Sequence, residues 1–492
     1  MASHGALACF ARSYLRRQAI HFIYLHLSRM LADPQSERQT HYFRWWAALG
    51  LITVLLLVFI TPPFQVPDEA QHFFRAYEIS EGNLIAEVRG QTAGARLPSS
   101  LQELSHHFLG SRKLHTNRPV TPTPLSDTLA QLARPLDAGR REFVVFTGAA
   151  AYGPLAYIPQ ALGIKLAVLA DASVLTMFYL SRIVNGMCAL ALLAYAVWLM
   201  PRGRELIAFA ALLPMGLYLY ASASPDAMVI SFAFMYTALI LNRMTTDTWS
   251  HRDTVLAVVS AATLCMIKPV YLPLLLLGFV QLLYTRRRLF TVITQGGILL
   301  ATCAVTLLWG ICAASAIIPV PEGINVSGQI DQVLREPFQY MLTIARSLLW
   351  RGFYYKQLIG TLGWLTFELP VIAYWLPAVA AVLALGREKL KFSRQAVIFL
   401  AISLSIIAAC TLLIFTALYV SWTPVGNVIV EGIQGRYFLP VLPLGLVAGL
   451  LAFGRRIWWS RTVVQVGMLG LGALEAGILV HTVATTYSVF GS

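Results

Sequence analysis

Apolar runs of roughly 20 residues recur along the chain, separated by short polar stretches. They fall at 43–62, 174–199, 205–222, 226–242, 253–267, 270–284, 290–313, 370–386, 395–419, 437–453 and 462–488. A helix of that length crosses the hydrocarbon core, and only helices or closed barrels satisfy their backbone groups there. The fold class expected is therefore an all-α integral membrane protein, a polytopic bundle of about eleven transmembrane helices. Two longer segments interrupt the repeat, 63–173 and 314–369. The chain divides on this pattern into a basic N-terminal segment, 1–42, and a polytopic domain, 43–492.

Some elements within the long segments are legible too. Ala151 to Ala170 is apolar enough to be a further span. Counting it as one reverses every later loop, so it reads as a helix lying along, or dipping into, one face of the membrane. Pro119 to Pro135 reads as a loop, and Pro337 opens an amphipathic helix running to about Trp350. Residues 8 to 31 alternate apolar residues with arginines, as in a basic helix on the membrane surface or a dispensable extension.

Composition agrees with lipid as the main solvent: 57% of the 492 residues are hydrophobic and 12% charged. The net charge of +14 does not point to nucleic acid, because the basic residues sit in short clusters between apolar runs. With the N-terminus inside, the short inner loops 200–204, 243–252, 285–289, 387–394 and 454–461 carry fourteen lysines and arginines. The short outer connections carry only Lys268 and Arg436, which sets the orientation. Both long segments are then extracytoplasmic, and the first run reads as an uncleaved anchor. The cysteines lie mostly inside apolar runs and have no metal-ligand spacing, so they read as small buried hydrophobes.

The chemistry-bearing residues concentrate at the outer ends of the runs. Immediately after the first comes Pro62-Pro63-Phe64-Gln65-Val66-Pro67-Asp68-Glu69-Ala70-Gln71-His72, then Arg75. The prolines stop the membrane helix, Asp68 sits where it can cap the next, and Asp68 or Glu69 shares a face with His72, as His72 does with Arg75. Two adjacent carboxylates at the lipid–water boundary are solvated, paired or used. A plain helix cap inside a solvated charge cluster is the bland reading. Asp226, Lys268, Tyr271, Arg351, Lys356 and Arg436 fall at the same boundary. Lys268 and Arg436 stand against the orientation rule, which snorkelling, an ion pair or a lipid phosphate would each explain. Arg182 lies about two turns inside its span, deeper than snorkelling favours, and is the foremost candidate for a phosphate contact. Asp68 and Asp226 can share a divalent cation, magnesium or manganese, through oxygen ligands. His106, His107 and His115 lack matched carboxylates and make no zinc site. Glu475, mid-span, reads as a neutral or hydrogen-bonded buried carboxyl, with a proton pathway past His481 as the alternative.

The acidic pair after the first membrane helix resembles the modified acidic motif of GT-C glycosyltransferases, membrane enzymes that use polyprenyl-phosphate-linked sugars. The likeness extends over nearly the whole chain from residue 43. Tyr152-Gly153-Pro154-Leu155-Ala156-Tyr157 is similar to the element that opens a surface helix in that superfamily, and Tyr179-Leu180-Ser181-Arg182 to its arginine at the outer end of the second span. Narrower still, Pro67-Asp68-Glu69 with His72, Ser222-Ala223-Ser224-Pro225-Asp226, Lys268-Pro269-Val270-Tyr271, Leu362-Gly363-Trp364-Leu365 and Gln434-Gly435-Arg436-Tyr437 occur in the order of a bacterial membrane family catalogued as a domain of unknown function. The soluble sugar-binding module of the protein mannosyltransferases is not found, so acceptor recognition falls to the two outer segments.

The resemblance implies an inverting transferase that moves a sugar from a polyprenyl-phosphate carrier to an envelope glycan or lipid acceptor, on the outer face of a bacterial inner membrane. Asp68 and Glu69 are the expected catalytic pair, with Arg182, Lys268 and Arg436 on the donor phosphate. His72, Arg75, Tyr152, Asp226, Tyr271 and Arg351 are expected in support. The alternatives are a transporter or flippase of a lipid-linked glycan, which would use the same cations without chemistry, or an O-antigen ligase or polymerase built on Glu431 and Arg436.

Overall fold

The computed structural model describes residues 34–110, 122–246, 248–316, 324–387, 393–454 and 458–490. The basic stretch 8–31, Cys9, His115, Pro119, Lys389, Lys391, Arg455 and Arg456 lie outside the described residues. The chain divides into Met1–Leu49 and Gly50–Ser492. Of the first unit only the start of the helix Pro34–Ile60 is described, and the site described below lies in the second.

Among the described residues, seven helices are long and apolar enough to cross a membrane: His41–Ile60, Val174–Leu199, Asp226–Thr246, Arg288–Cys312, Arg394–Trp422, Gly435–Phe453 and Arg461–Thr486. Each coincides with an expected run. The other four runs are shorter or broken, and proline accounts for most of this. The run 205–222 is two helices, Arg204–Ala211 and Pro214–Tyr220. Pro214 has no N–H to continue the ladder and holds Leu213 extended (φ −57°, ψ 145°). The run 270–284 is a 3-10 helix, Pro269–Leu283, with Pro273 inside it. The run 370–386 is a 3-10 turn, Val371–Tyr374, followed by Leu376–Leu385, and 253–267 is the 17-residue helix His251–Ile267.

Burial ranks the spans. In Asp226–Thr246, 78% of the most apolar window is inside the protein, against 22% in Arg288–Cys312 and 28% in Arg394–Trp422. Asp226–Thr246 is thus a central strut, and the residue at its head is held in a crowded, dry place. The outward residues of the peripheral helices, such as Leu300, Leu307 and Leu404, are leucines, as a hydrocarbon solvent requires.

The first long segment holds more than surface helices. Strands Glu87–Arg89, Thr92–Pro98 and Arg141–Val145 form an antiparallel sheet with Thr92–Pro98 in the middle, Gly94 lying opposite both Glu87 and Val145. Their residues do not alternate cleanly, so the hydrophobic pattern does not announce them. Within the stretch expected as loop, the helix Leu125–Ala130 and the 3-10 turn Gln131–Ala133 form. Ala151 to Ala170 contains the apolar helix Pro154–Leu169. The end of the chain returns to this segment, where Thr123 and Leu125 donate backbone bonds to the carbonyls of Tyr487 and Val489. The last span therefore finishes on the same side as the first long segment.

Candidate active site

The Pro62 to Pro67 turn sets the geometry. Phe64 and Asp68 both take left-handed backbone conformations, φ 64° and 62°, which costs a residue with a Cβ about 1–2 kcal/mol each. Asp68 occupies the N-cap position of the helix Glu69–Ser80, as expected, but its carboxylate makes no capping bond. The left-handed turn instead leaves that side chain 46% exposed and facing Arg436, its Oδ2 3.8 Å from Nη2. Sparsely populated backbone at a half-exposed carboxylate is the kind of local cost that functional sites retain.

Its neighbour Glu69 points the other way. Glu69 and Arg182 are both fully buried, and each carboxylate oxygen takes one fork of the guanidinium, at 2.8 Å from Nε and 2.7 Å from Nη2. The remaining Arg182 donors go to the carbonyls of Val58 and Thr61 from Nη1, and of Pro62 from Nη2. All five N–H groups are thereby used. Glu69 also accepts the Ala223 backbone N–H at 2.9 Å. This pair ties the end of the first span, the acidic turn and the Ser222 to Asp226 turn into one block. Against the expected roles of Arg182 on the donor phosphate and of Glu69 in the catalytic pair, the structure places both in a buried pair: neither reaches solvent, and Arg182 has no donor left to offer a ligand. Arg75 is also fully buried, with bonds to Glu78 and to the carbonyls of Leu84 and Tyr152 while its Nε has no hydrogen-bond partner, so it holds Tyr152 from behind.

The other expected residues converge. Ser224 Oγ accepts the Asp226 N–H and opens the central helix, while Asn185 donates to the carbonyls of Ser222 and Ser224. Asp226 receives Lys268 Nζ at 2.6 Å on Oδ1, and Arg436 Nε stands 3.7 Å from Oδ2. Lys268 Nζ lies 4.7 Å over the Tyr437 ring. Tyr271 donates to the Tyr437 carbonyl at 2.7 Å, so it braces the Arg436 turn from behind. Gly153 donates its N–H to the Met266 carbonyl and lies so close that a Cβ would strike Met266, which brings Tyr152 beside the Lys268 turn.

His72 is buried between Tyr152, stacked at 6.1 Å, and Tyr157, whose hydroxyl shares a 2.9 Å hydrogen bond with Nδ1. Burial lowers the His72 pKa to about 4, outweighing the upward pull of Asp68 and Asp226, so the ring is neutral at physiological pH. Burial also raises the Tyr152 pKa, which keeps it a phenol. The site thus holds two carboxylates and two cations around a neutral imidazole.

Arg436 is the incomplete guanidinium of this cluster, although Arg75 and Arg243 also bury an Nε that has no hydrogen-bond partner. Its side chain is 7% exposed, its contacts with Asp68 and Asp226 are too long for hydrogen bonds, and Nε has no hydrogen-bond partner. A buried guanidinium N–H without an acceptor carries a desolvation cost that an anionic oxygen would relieve. A divalent cation does not fit the same place: Asp68 and Asp226 already face Arg436 and Lys268, and no three His, Cys, Asp or Glu residues converge among the described residues. Arg351 begins the helix Arg351–Ile359, but its side chain lies outside the described residues. Lys356 pairs with Glu368 at 2.7 Å. Glu431 accepts from Asn427 at the surface, and Glu475 is buried with both carboxylate oxygens unpartnered, while His481 is exposed.

Two aromatic members of the site, Tyr157 and Tyr437, stand inside recognised motifs without being singled out there; only the fold puts them against His72 and Lys268. Gly435 and Gln357 are a further pair. Gln357 accepts the Gly435 N–H at 2.8 Å, and a Cβ on Gly435 would meet the Tyr354 carbonyl oxygen.

Long apolar helices around a buried charge cluster at their ends define a multi-pass membrane protein with a polar site at one boundary of its bundle. Residues 51–445 match the family model described as Predicted membrane protein (DUF2142), and the chain belongs to that family. No curated protein and no solved structure matches it.

Proposed function

We propose that the protein is an inverting GT-C-like glycosyltransferase that moves a sugar from a polyprenyl-phosphate carrier onto an envelope glycan or lipid acceptor. The observation that carries this reading is Arg436, a buried guanidinium with an unfilled donor, beside a half-exposed carboxylate, Asp68, that makes no capping bond. In this reading Asp68 accepts the proton of an acceptor hydroxyl as its oxygen bonds to the anomeric carbon. The bond from that carbon to the phosphate oxygen breaks, and its electron pair leaves with the phosphate. Proton transfer comes late, as an oxocarbenium-like centre develops, so a carboxylate suffices as base. Arg436 and Lys268 stabilise the growing phosphate charge. A phosphate leaving group needs no general acid, which suits cations opposite a carboxylate. Asp226 aligns the two cations, and His72, neutral, lines the acceptor side with Tyr152 and Tyr157.

The same reading takes the bundle as about eleven crossings in a bacterial inner membrane, with the N-terminus cytoplasmic and the site outside. The tight 3-10 geometry of Pro269–Leu283 supports that count. At a rise of about 2.0 Å per residue its 15 residues extend about 30 Å, the thickness of the hydrocarbon core, where an α-helix would fall short.

The test is Asp68→Asn in purified protein reconstituted in vesicles with a polyprenyl-phosphate sugar. Loss of sugar transfer with the fold intact is expected. Undiminished transfer removes Asp68 as base, and a donor that changes leaflet without being consumed marks a flippase.

A further inference from the structure

The second long segment contains two helices that are inside-out by the standards of a soluble protein. Val326–Arg335 and Pro337–Leu348 turn polar side chains inward: Gln329, Thr343 and Ser347 are buried, with Tyr340 and Ile344 beside them on the second helix. Gln329 donates to the carbonyls of Thr423 and Pro424, and Ser347 Oγ accepts the Val430 N–H. Their most exposed positions are apolar, with Leu334 75%, Phe338 81% and Leu349 70% exposed and Ile330 and Met341 between them, while Asp331, Arg335, Glu336 and Arg346 are the charged residues that also face outward. The spacing 330, 334 on one helix and 338, 341, 345, 348 on the next draws a single apolar stripe per helix. Beside that stripe on the first helix runs a charged one, Asp331 to Arg335, ion-paired at 2.7 Å. The helices have 10 and 12 residues, about 15 and 18 Å long, so neither crosses a core of about 30 Å.

We infer that residues 326–349 form a lipid-seated arm, lying in the headgroup–acyl boundary with Leu334, Phe338 and Leu349 in hydrocarbon and Asp331 and Arg335 in water. The occupant of the stripe is lipid because the arm is strung between membrane-crossing elements and its apolar and charged stripes run side by side, the arrangement a flat interface demands. The arm bears on the site. The next helix, Arg351–Ile359, is packed so closely on Gly435 that no side chain fits there, and Gln357 holds the Gly435 N–H. The depth of the arm in the leaflet therefore fixes the height of Arg436 against the membrane surface. That last link rests on Arg436 binding an anion carried by lipid; the seating itself does not.

A fluorescent amino acid placed singly at Phe338 and at Arg335 in the full chain, reconstituted in phosphatidylcholine vesicles, tests the seating without any turnover. Lipid brominated near the headgroup end of its acyl chains is expected to quench the probe at 338 several-fold more than at 335, and aqueous acrylamide to do the reverse. Equal acrylamide quenching at both positions would overturn the arm's seat in lipid. So would a probe at 338 that neither quencher reaches, since protein would then cover the stripe.

Discussion

The protein contains two arginine–carboxylate clusters close to one another, built from adjacent acidic residues yet opposite in character. In the first, Glu69 and Arg182 are fully buried, forked at 2.7–2.8 Å, and every guanidinium donor is filled. In the second, Arg436 stands 3.7–3.8 Å from Asp226 and Asp68, and Nε goes unsatisfied. The same ion pair chemistry makes a structural knot where geometry is complete and a receptive site where it is not. Residue type does not distinguish them; an unfilled donor standing beside a partly exposed carboxylate, Asp68, does.

That contrast can be broken at several points. The largest effect is expected in the sealed cluster: Arg182→Ala leaves Glu69 buried and unpaired, at a cost of about 3–5 kcal/mol. Thermal unfolding in detergent should show it as loss of folded protein, and a variant of unchanged stability would mean the knot is not structural. In the open cluster, Arg436→Ala should keep the fold while sugar transfer falls about 10²–10³-fold, or about 3–4 kcal/mol, the range for one removed transition-state donor. Turnover measured beside unfolding separates the two arginines. His72 probes how dry the border is. Its folded pKa, about 4, lies below the unfolded value of 6.5, so the unfolded chain binds more protons and stability drops as pH falls through that interval. About 2 kcal/mol should be lost between pH 7 and 5, and His72→Gln should abolish that slope in denaturation curves. The smallest effect tests the left-handed turn: Asp68→Gly should stabilise by about 1 kcal/mol while eliminating transfer.

Most of the fold and half of the site were legible before any coordinates. The spans announce themselves because lipid demands unbroken apolar length, and proline marks where they break. Asp68, Asp226, Lys268 and Arg436 could be brought together because the orientation expected from the loop charges puts all their helix ends on one face, and the structure does bring them together. What the sequence could not reveal is side-chain direction. Asp68 and Glu69 are neighbours, and only the left-handed backbone at 68 sends one to Arg436 and the other to an arginine 113 residues away. Arg182 shows the same limit: depth in a span signals that a charge must be satisfied, but not whether by a ligand or, as here, by three carbonyls and a carboxylate. The strands of the first segment escaped notice because they are short and lack alternation.

Binding of a sugar-free polyprenyl phosphate to folded protein in vesicles, wild type beside Arg436→Ala and the surface control Arg89→Ala, addresses the open cluster directly. The incomplete guanidinium predicts that wild type and Arg89→Ala bind alike and that Arg436→Ala loses most of its affinity. Equal binding by all three would contradict the assignment of the boundary cluster as the seat of a lipid-borne phosphate.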